Sequence, residues 1–187
     1  MSLIDELLAD AREHMDKSVD ATRGKFGSIR TGRATPALLD RISVDYYGAQ
    51  TPLKQLATIS APEARLLTVQ PYDKSSIKAI ERSIQESDLG LTPNNDGQII
   101  RLQVPELTEE RRKQLVKVVR GLTEEGKVAL RNIRRDVMHD LKELKDAGEA
   151  GADDEHRAEE ALQKLTDDKV KELDALLKGK EAEILEV

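Results

Sequence analysis

Cysteine and tryptophan are absent from the 187 residues of this chain, and aromatic side chains make up only 2% of it. Without cysteine the chain forms neither disulfide bridges nor thiolate sites, which fits a reducing cytosol. The three histidines, His14, His139 and His156, are far apart in the sequence, so the pattern predicts no metal site. No apolar run approaches the length of a membrane span, and the first residues are acidic where an export signal is basic. We therefore expect a soluble, cytoplasmic protein without a membrane partner.

The few aromatic residues restrict how the chain can recognise nucleic acid. Stacking of bases needs several aromatic platforms, whereas this sequence offers only Phe26, Tyr46, Tyr47 and Tyr72. Any such recognition would therefore use the phosphate backbone and its shape. Tyr46 and Tyr47 are neighbours in a predicted strand, so we expect their side chains on opposite faces, with at most one packed inward.

Three long segments have the apolar spacing of amphipathic helices, and they cover residues 2–29, 108–145 and about 155–187. Ser2 and Thr108 are predicted to cap the first two helices, because a hydroxyl can accept hydrogen bonds from the N–H groups of the first turn. A short turn at 146–154 makes the second and third helices antiparallel. All three can then bury their apolar stripes together in a three-helix bundle.

Between the first two helices the composition changes to Val, Ile, Thr, Tyr, Gly and Pro. This segment predicts strands at 42–47, 56–60, 66–70 and 99–104, a helix at 75–87 and a turn at Asn94–Gly97. The expected fold is therefore α+β. A discontinuous bundle domain of residues 1–30 and 106–187 carries a small, mostly β, inserted α/β domain of residues 31–105.

The second long helix separates its charges by face. With about 100° of rotation per residue, its apolar residues fall within roughly 80° of Ile133, and a basic stripe covers the opposite side. The predicted core residues are Leu115, Val118, Val119, Leu122, Ala129, Leu130, Val137, Leu141 and Leu144. The basic stripe consists of Lys113, Lys117, Arg120, Lys127, Arg131, Arg134, Arg135, Lys142 and Lys145, with Glu109 and Glu124 as the acids on that side.

This basic stripe predicts an anionic partner. A solvated helix face usually mixes signs, whereas Arg131, Arg134 and Arg135 lie within about one turn and repel each other by roughly 0.3 kcal/mol per pair. The planar fork of arginine suits phosphate, so nucleic acid is favoured over an acidic protein. Residues 106–145 hold 11 Lys and Arg against 8 Asp and Glu, whereas 146–187 hold 6 against 14. The acidic remainder repels phosphate outside one docking pose.

Five motifs resemble those of bacterial ribosome recycling factors, and the resemblance extends from the first helix to the last residues. They read IRTGRATP at 29–36, VDYYG at 44–48, SDLG at 87–90, LTEERR at 107–112 and RNIRR at 131–135. The resemblance implies a non-enzymatic translation factor of two domains set roughly at right angles in an L shape, with no cofactor.

The resemblance also implies partners. The bundle would bind the large subunit of the post-termination ribosome across the A and P tRNA sites, against 23S ribosomal RNA and not DNA. Elongation factor G would hydrolyse the GTP that drives subunit separation. The inserted domain would face that factor and the small subunit.

The candidate RNA-binding residues are basic and come either from the motifs or from the basic stripe. Those implied by the resemblance are Arg30, Arg131 and Arg134, with the adjacent Arg33 and Arg135. Those added by the stripe are Lys117, Arg120 and Lys127.

Two backbone crossings join the predicted domains, one at Thr31-Gly32 and one at Val104-Pro105. Gly32 admits backbone angles that other residues resist, whereas Pro105 fixes its own φ and biases Val104 toward extended angles. We expect a hinge that is soft on one side and stiff on the other. The three apolar helix stripes can satisfy one another within one chain, which predicts a monomer.

Two other functions fit parts of the pattern less well. A helical RNA-binding scaffold or a chaperone-like adaptor would use the same stripe on other anionic partners, and salt-sensitive binding to ribosomes would distinguish it from a translation factor. An enzyme is not expected. The segment 31–105 has no His, no Cys, no glycine-rich loop and no clustered acids, so no catalytic residue is predicted.

Overall fold

A computed structural model describes residues 1–186 of the chain. Contacts divide it into two compact units, one of residues 1–26 and 112 onward and the other of residues 27–111. The expected domain boundaries, 30/31 and 105/106, therefore fall inside the second unit. In the described part of the chain, no helix is both long and apolar enough to cross a membrane.

The helices and strands follow the order expected from the sequence. They are α1 Leu3–Gly27, β1 Ser43–Tyr46, β2 Ala49–Pro52, α2 Leu53–Leu56, β3 Ala57–Glu63, β4 Leu66–Pro71, α3 Ile77–Glu86, β5 Pro93–Asn95, β6 Ile100–Gln103, α4 Glu109–Asp146 and α5 Ala152–Leu185, with single 3-10 turns at Pro36–Leu39 and Lys74–Ser76. The three long helices are confirmed close to their predicted bounds. Strands β2 and β5 and the one-turn helix α2 were not predicted.

Helices α1, α4 and α5 form the first unit and share one core, which confirms the predicted bundle. The core residues are Ala11, Met15, Val19, Leu130, Val137, Leu141, Ala158, Leu162, Leu165 and Leu173. Ion pairs between α4 and α5 join Lys145 to Glu155, Lys127 to Asp174 and Arg120 to Glu181. Because the residue numbers fall on α4 as they rise on α5, the two helices are antiparallel.

Both predicted N-caps are present. The Ser2 hydroxyl accepts a hydrogen bond from the Asp5 N–H at 3.2 Å, and the Asp5 carboxylate accepts in return from the Ser2 N–H at 3.0 Å. At α4 the Thr108 hydroxyl accepts from the Arg111 N–H at 3.1 Å. These side chains satisfy backbone donors that have no partner within the helix.

The buried face of α4 is rotated toward the basic stripe relative to the prediction. Val118, predicted to be in the core, is 47% exposed, and Ile133, the predicted centre, is half-buried. Thr123 and Gly126 are buried instead, and they lie about 80° and 20° around the helix from Ile133. Apolar spacing missed them because threonine and glycine carry little apolar signal.

The second unit is a small α/β domain, as predicted. Four antiparallel strands form a sheet in the order β3-β4-β6-β5, and β1 pairs with β2 in a separate hairpin. Helix α3 buries Ile77, Ile80 and Ile84 in the core of this unit. Pro93 lies in β5, an edge strand, where the missing N–H of proline is tolerated.

Two local predictions are corrected in this unit. Asn94 and Asn95 belong to β5, and the turn begins at Asp96, whose carboxylate accepts from the N–H groups of Gln98 and Ile99, both at 2.9 Å. Tyr47 was predicted in a strand, but it lies in the turn after β1 with φ +50° and is 83% exposed.

Gly126 marks a close approach of the three helices, and its replacement tests the packing. A Cβ at Gly126 would lie 2.7 Å from Thr22 Oγ1 of α1 and 3.1 Å from Leu173 Cδ1 of α5. We expect Gly126→Ala to lower the free energy of unfolding by about 1–3 kcal/mol, since overpacking forces the helices apart. Chemical denaturation followed by circular dichroism measures this.

Gly121 is the matched control, because it lies in the same helix and a Cβ there meets nothing within 4 Å. Gly121→Ala should be neutral or stabilising by up to about 1 kcal/mol through helix propensity. Equal stabilisation by both substitutions would contradict a close helix approach at Gly126.

Candidate RNA-binding surface

The exposed side of α4 carries a cluster of three arginines, Arg131, Arg134 and Arg135, which we call the arginine cluster. Arg131 and Arg135 are exposed, and Arg134 is half-buried. Within residues 1–186, Arg131 makes no side-chain hydrogen bond or ion pair. In the same range, the one side-chain contact of Arg135 is long, 3.9 Å from its Nε to the carboxylate of the neighbouring Asp136. Most guanidinium donors of the cluster therefore face solvent.

Two lysines of the basic stripe are equally accessible. Lys117 and Lys142 are exposed, and neither has a side-chain partner in the described part of the chain. Both lie on the same side of α4 as the arginine cluster, at about 180–200° from Ile133. They extend the positive surface along the helix in both directions.

Other basic residues of the stripe are engaged by acids of α5. Lys127 Nζ lies 2.7 Å from Asp174 Oδ1 and 3.6 Å from Glu124, and its side chain is only 16% exposed. Arg120 Nε donates to Glu181 at 2.6 Å. Lys145 Nζ lies 2.6 Å from the buried Glu155. Each positive charge is balanced within the bundle.

The ion pairs with α5 change the pKa of two of these lysines. The hydrogen bond to Asp174 raises the pKa of Lys127, and the hydrogen bond to Glu155 raises the pKa of Lys145. Sequence reasoning placed all these residues on one solvated stripe and missed their partners. The acidic composition of residues 146–187 was the available signal, but the register of α5 decides which acid meets which base.

Arg134 has a neutral partner instead. Its Nη1 donates to Gln163 Oε1 on α5 at 2.8 Å. The Gln163 amide in turn donates from Nε2 to Asp167 Oδ1 at 2.9 Å. Arg134 therefore keeps its full charge while its guanidinium is held in place.

Arg30 and Arg33 belong to the second unit. Helix α1 ends at Gly27, so both lie in the coil that follows rather than at the helix end. The Arg30 guanidinium donates to the Leu89 carbonyl, and its Nη1 packs 3.6 Å from the position a Cβ would take at Gly90. Arg33 is exposed. The motif IRTGRATP thus contacts the motif SDLG within this unit.

The four predicted hinge residues also lie in the second unit. Gly32 adopts φ +78°, and a Cβ there would lie 3.3 Å from Leu107 Cγ. Val104 is buried and its N–H donates to the Arg65 carbonyl at 2.8 Å. Thr31 and Pro105 are their neighbours in the chain. The positive φ confirms that Gly32 uses backbone freedom that is special to glycine.

Metal-binding residues do not assemble in the described chain. Across residues 1–186, no group of three or more His, Cys, Asp or Glu side chains is placed to hold a metal ion. His139 and His156 instead lie beside glutamates one turn away, Glu143 at 3.2 Å and Glu160 at 3.4 Å.

The geometry defines a class of protein. A three-helix bundle is interrupted by a small α/β domain, and one bundle helix presents guanidinium groups suited to bidentate contact with phosphate. Such a surface is suited to the backbone of an anionic polymer. The sequence of α4 has no aromatic residue on which a base could stack.

Comparison with known proteins gives the family. The sequence profile of the Ribosome recycling factor family matches residues 22–185. A ribosome-recycling factor of Rubrobacter xylanophilus is 57% identical over 180 residues, 96% of this chain and 97% of the relative. One of Listeria monocytogenes is 54% identical over 182 residues, 97% of this chain and 98% of the relative. The chain belongs to the ribosome recycling factor family, a family of translation factors.

Solved structures agree with this assignment. The chain is similar to a solution structure of a ribosome recycling factor, with a TM-score of 0.83 and 39% identity over all of both chains. It is also similar to the T. thermophilus ribosome recycling factor in models with E. coli elongation factor G bound to the E. coli post-termination complex. That similarity has a TM-score of 0.69 and 48% identity over 99% of this chain and all of the other.

The unequal environments of the stripe lysines predict unequal reactivity. We expect Lys117 and Lys142 to react faster than Lys127 with an amine reagent at mildly alkaline pH. Lys127 is mostly buried, and its raised pKa leaves less of the unprotonated amine that reacts. Peptide mass spectrometry over a time course measures the three rates.

Asp174→Ala should accelerate the modification of Lys127 and leave the rates at Lys117 and Lys142 unchanged. Equal rates for all three lysines in the unsubstituted protein would show that Lys127 is not held by α5.

Proposed function

We propose that this chain binds the large subunit of the post-termination ribosome across the A and P tRNA sites and separates the subunits together with elongation factor G. The family assignment supports this function over that of a general RNA scaffold or adaptor. The similar T. thermophilus protein is described on the post-termination complex together with elongation factor G. In this proposal the partner hydrolyses GTP, and the chain acts in the cytoplasm as a monomer without enzymatic activity of its own.

The exposure of the arginine cluster and its lack of a close acidic partner within the described chain are the observations that best support the proposed RNA contact. A guanidinium that lacks an acidic partner gives up no ion pair in the protein when it binds phosphate, whereas a paired one must first give up its carboxylate. Arg131 has no partner within residues 1–186, and Arg134 has a neutral one. We propose that these two and Arg135 contact 23S ribosomal RNA, with Lys117 as a weaker contact at one end.

We expect the other predicted RNA contacts to contribute less to binding than the arginine cluster. Arg120 and Lys127 are held by Glu181 and Asp174, so RNA would have to displace an ion pair at each position. Arg30 and Arg33 remain proposed contacts on the strength of their motif. We further propose that the second unit faces elongation factor G and the small subunit.

We propose that the connections around Thr31-Gly32 and Val104-Pro105 act as the hinge between a bundle domain of residues 1–30 and 106–187 and an inserted domain of 31–105. The positive φ of Gly32 supports this proposal, because a β-branched residue cannot adopt it without strain. In this proposal the two domains have different roles. The bundle holds RNA while elongation factor G moves the inserted domain.

Loss of one arginine should weaken docking measurably. We expect Arg134→Ala to reduce affinity for purified large subunits by roughly ten- to a hundredfold, since a charge-assisted hydrogen bond contributes about 1.5–3 kcal/mol. The slope of log affinity against log salt concentration should fall by about 1. Arg134→Glu should weaken binding further, because it places a carboxylate against phosphate, and circular dichroism should show an intact bundle.

Arg23→Ala on α1 is the matched control. Arg23 is exposed and pairs with Asp20 one turn away, so its loss changes the net charge equally without touching the arginine cluster. Sedimentation with large subunits across a salt series measures both variants. Unchanged affinity and slope for Arg134→Ala would remove the arginine cluster from the proposed function.

Substitution of Gly32 should separate docking from splitting. We expect Gly32→Val to keep large-subunit affinity within a few fold but to slow subunit separation in a reconstituted reaction with elongation factor G and GTP. The matched control is Gly48→Val, since Gly48 has a similar φ of +82° in a β1–β2 turn remote in sequence from either connection. Equal slowing by both variants would assign the effect to general strain in the inserted domain.

A further inference from the structure

The partners that α5 provides to α4 change in kind along the helix. Lys145, Lys127 and Arg120 each meet a carboxylate, from Glu155, Asp174 and Glu181 respectively. Between the first two of these, at Arg134, the partner on α5 is an uncharged amide, that of Gln163. The exception coincides with the arginine cluster.

A carboxylate and an amide have different effects on an arginine. A carboxylate would form an ion pair with Arg134 and compete with phosphate for its charge. The amide oxygen accepts one N–H and leaves the charge in place. Because a guanidinium has five N–H donors, four remain for another ligand. The contact at 2.8 Å thus restrains Arg134 without neutralising it.

Asp167 determines which end of the Gln163 amide faces Arg134. The amide has an accepting oxygen and a donating NH2 group, and only the oxygen suits a guanidinium. Asp167 Oδ1 accepts from Gln163 Nε2 at 2.9 Å, which keeps the NH2 group turned away from Arg134. Gln163 and Asp167 lie one turn apart on α5, so the helix itself sets their spacing.

We propose that Gln163, oriented by Asp167, is a positioning residue that holds the Arg134 guanidinium ready for ribosomal RNA while preserving its charge. This rests on the proposed function, since it concerns the same RNA contact. A restrained arginine loses less side-chain entropy on binding than a mobile one. The acids Glu155, Asp174 and Glu181 pair with Lys145, Lys127 and Arg120 on either side. The arginine cluster, Lys117 and Lys142 keep positive charge that no acid of α5 balances within the described residues.

The test uses the full chain and purified large ribosomal subunits. Gln163→Met keeps the size and helix propensity of the side chain but removes the acceptor, and it should weaken binding roughly two- to fivefold. The salt slope should stay unchanged, because Arg134 keeps its charge. Gln163→Glu should weaken binding more and lower the slope, since the new carboxylate competes with phosphate.

A double-mutant cycle separates positioning from a general structural effect. In the Arg134→Ala background, Gln163→Met should change affinity by less than about 1.5-fold, because there is no guanidinium left to hold. An equal loss in both backgrounds would overturn the positioning role. Tighter binding by Gln163→Met alone would also overturn it, since Gln163 would then compete with RNA.

Asp167→Ala and Asp168→Ala form a matched pair. The two acids are adjacent on α5 and exposed, but Asp168 has no side-chain partner within residues 1–186. Both substitutions remove one negative charge, and only Asp167→Ala should weaken binding. Equal effects would show that Asp167 acts by charge and not by orienting Gln163.

Failure of this inference is distinguishable from failure of the proposed function. If Arg134→Ala weakens binding and Gln163→Met does not, the arginine cluster stands and the positioning role is wrong. If Arg134→Ala has no effect, the proposed RNA contact itself is wrong, and the role of Gln163 with it.

Discussion

The packing of α4 against α1 and α5 determines which of its basic side chains remain in water. One side of the helix must be buried, and at Gly126 the three helices come so close that a single methyl group would meet Thr22 and Leu173. This fixes the rotation of α4 about its own axis. The rotation brings Lys127 to the edge of α5 and leaves Arg131 and Arg135 exposed and Arg134 half-buried. The candidate site is therefore a consequence of core packing.

Helix α5 provides partners for the basic residues of the site, although the arginine cluster itself lies on α4. Its acids pair with bases of α4 that lie beside it, and its Gln163 meets Arg134 with an uncharged group. In the Arg120–Glu181 and Lys127–Asp174 pairs one partner remains in water. Ion pairs at a protein surface add little to stability, often less than about 1 kcal/mol. Their larger effect is on the distribution of charge. Phosphate is repelled by the acidic parts of the protein, which favours docking through its positive surface.

Much of this structure could be predicted from the sequence, because apolar spacing and capping residues indicate where long amphipathic helices begin and end. The bounds of α1, α4 and α5, the caps at Ser2 and Thr108, and the inserted α/β domain follow from such local signals. The exact buried face of α4 does not, since Thr123 and Gly126 are buried by a close helix approach and not by hydrophobicity. Val118 is apolar and has the spacing of a core residue, yet it is 47% exposed, because spacing alone does not show how far α4 is rotated.

The candidate site shows the same limit. The basic stripe was visible in the sequence, and so was the resemblance of RNIRR to a known motif. What the sequence lacks is the register between α4 and α5, which is set by packing along the whole bundle. That register places Asp174 beside Lys127 and Gln163 beside Arg134. It therefore decides which basic residues of the stripe are paired with an acid and which can bind phosphate.

The most direct test of this account is a protection measurement on two sides of α4. Because the chain has no cysteine, single cysteines can be placed at Val128, about 20° around the helix from Arg135, and at Asp140, about 140° from it. Both positions are exposed. Maleimide labelling with and without large ribosomal subunits should be slowed at Val128→Cys and unchanged at Asp140→Cys. Equal protection at both positions, or protection at Asp140→Cys alone, would contradict an RNA contact through the arginine cluster.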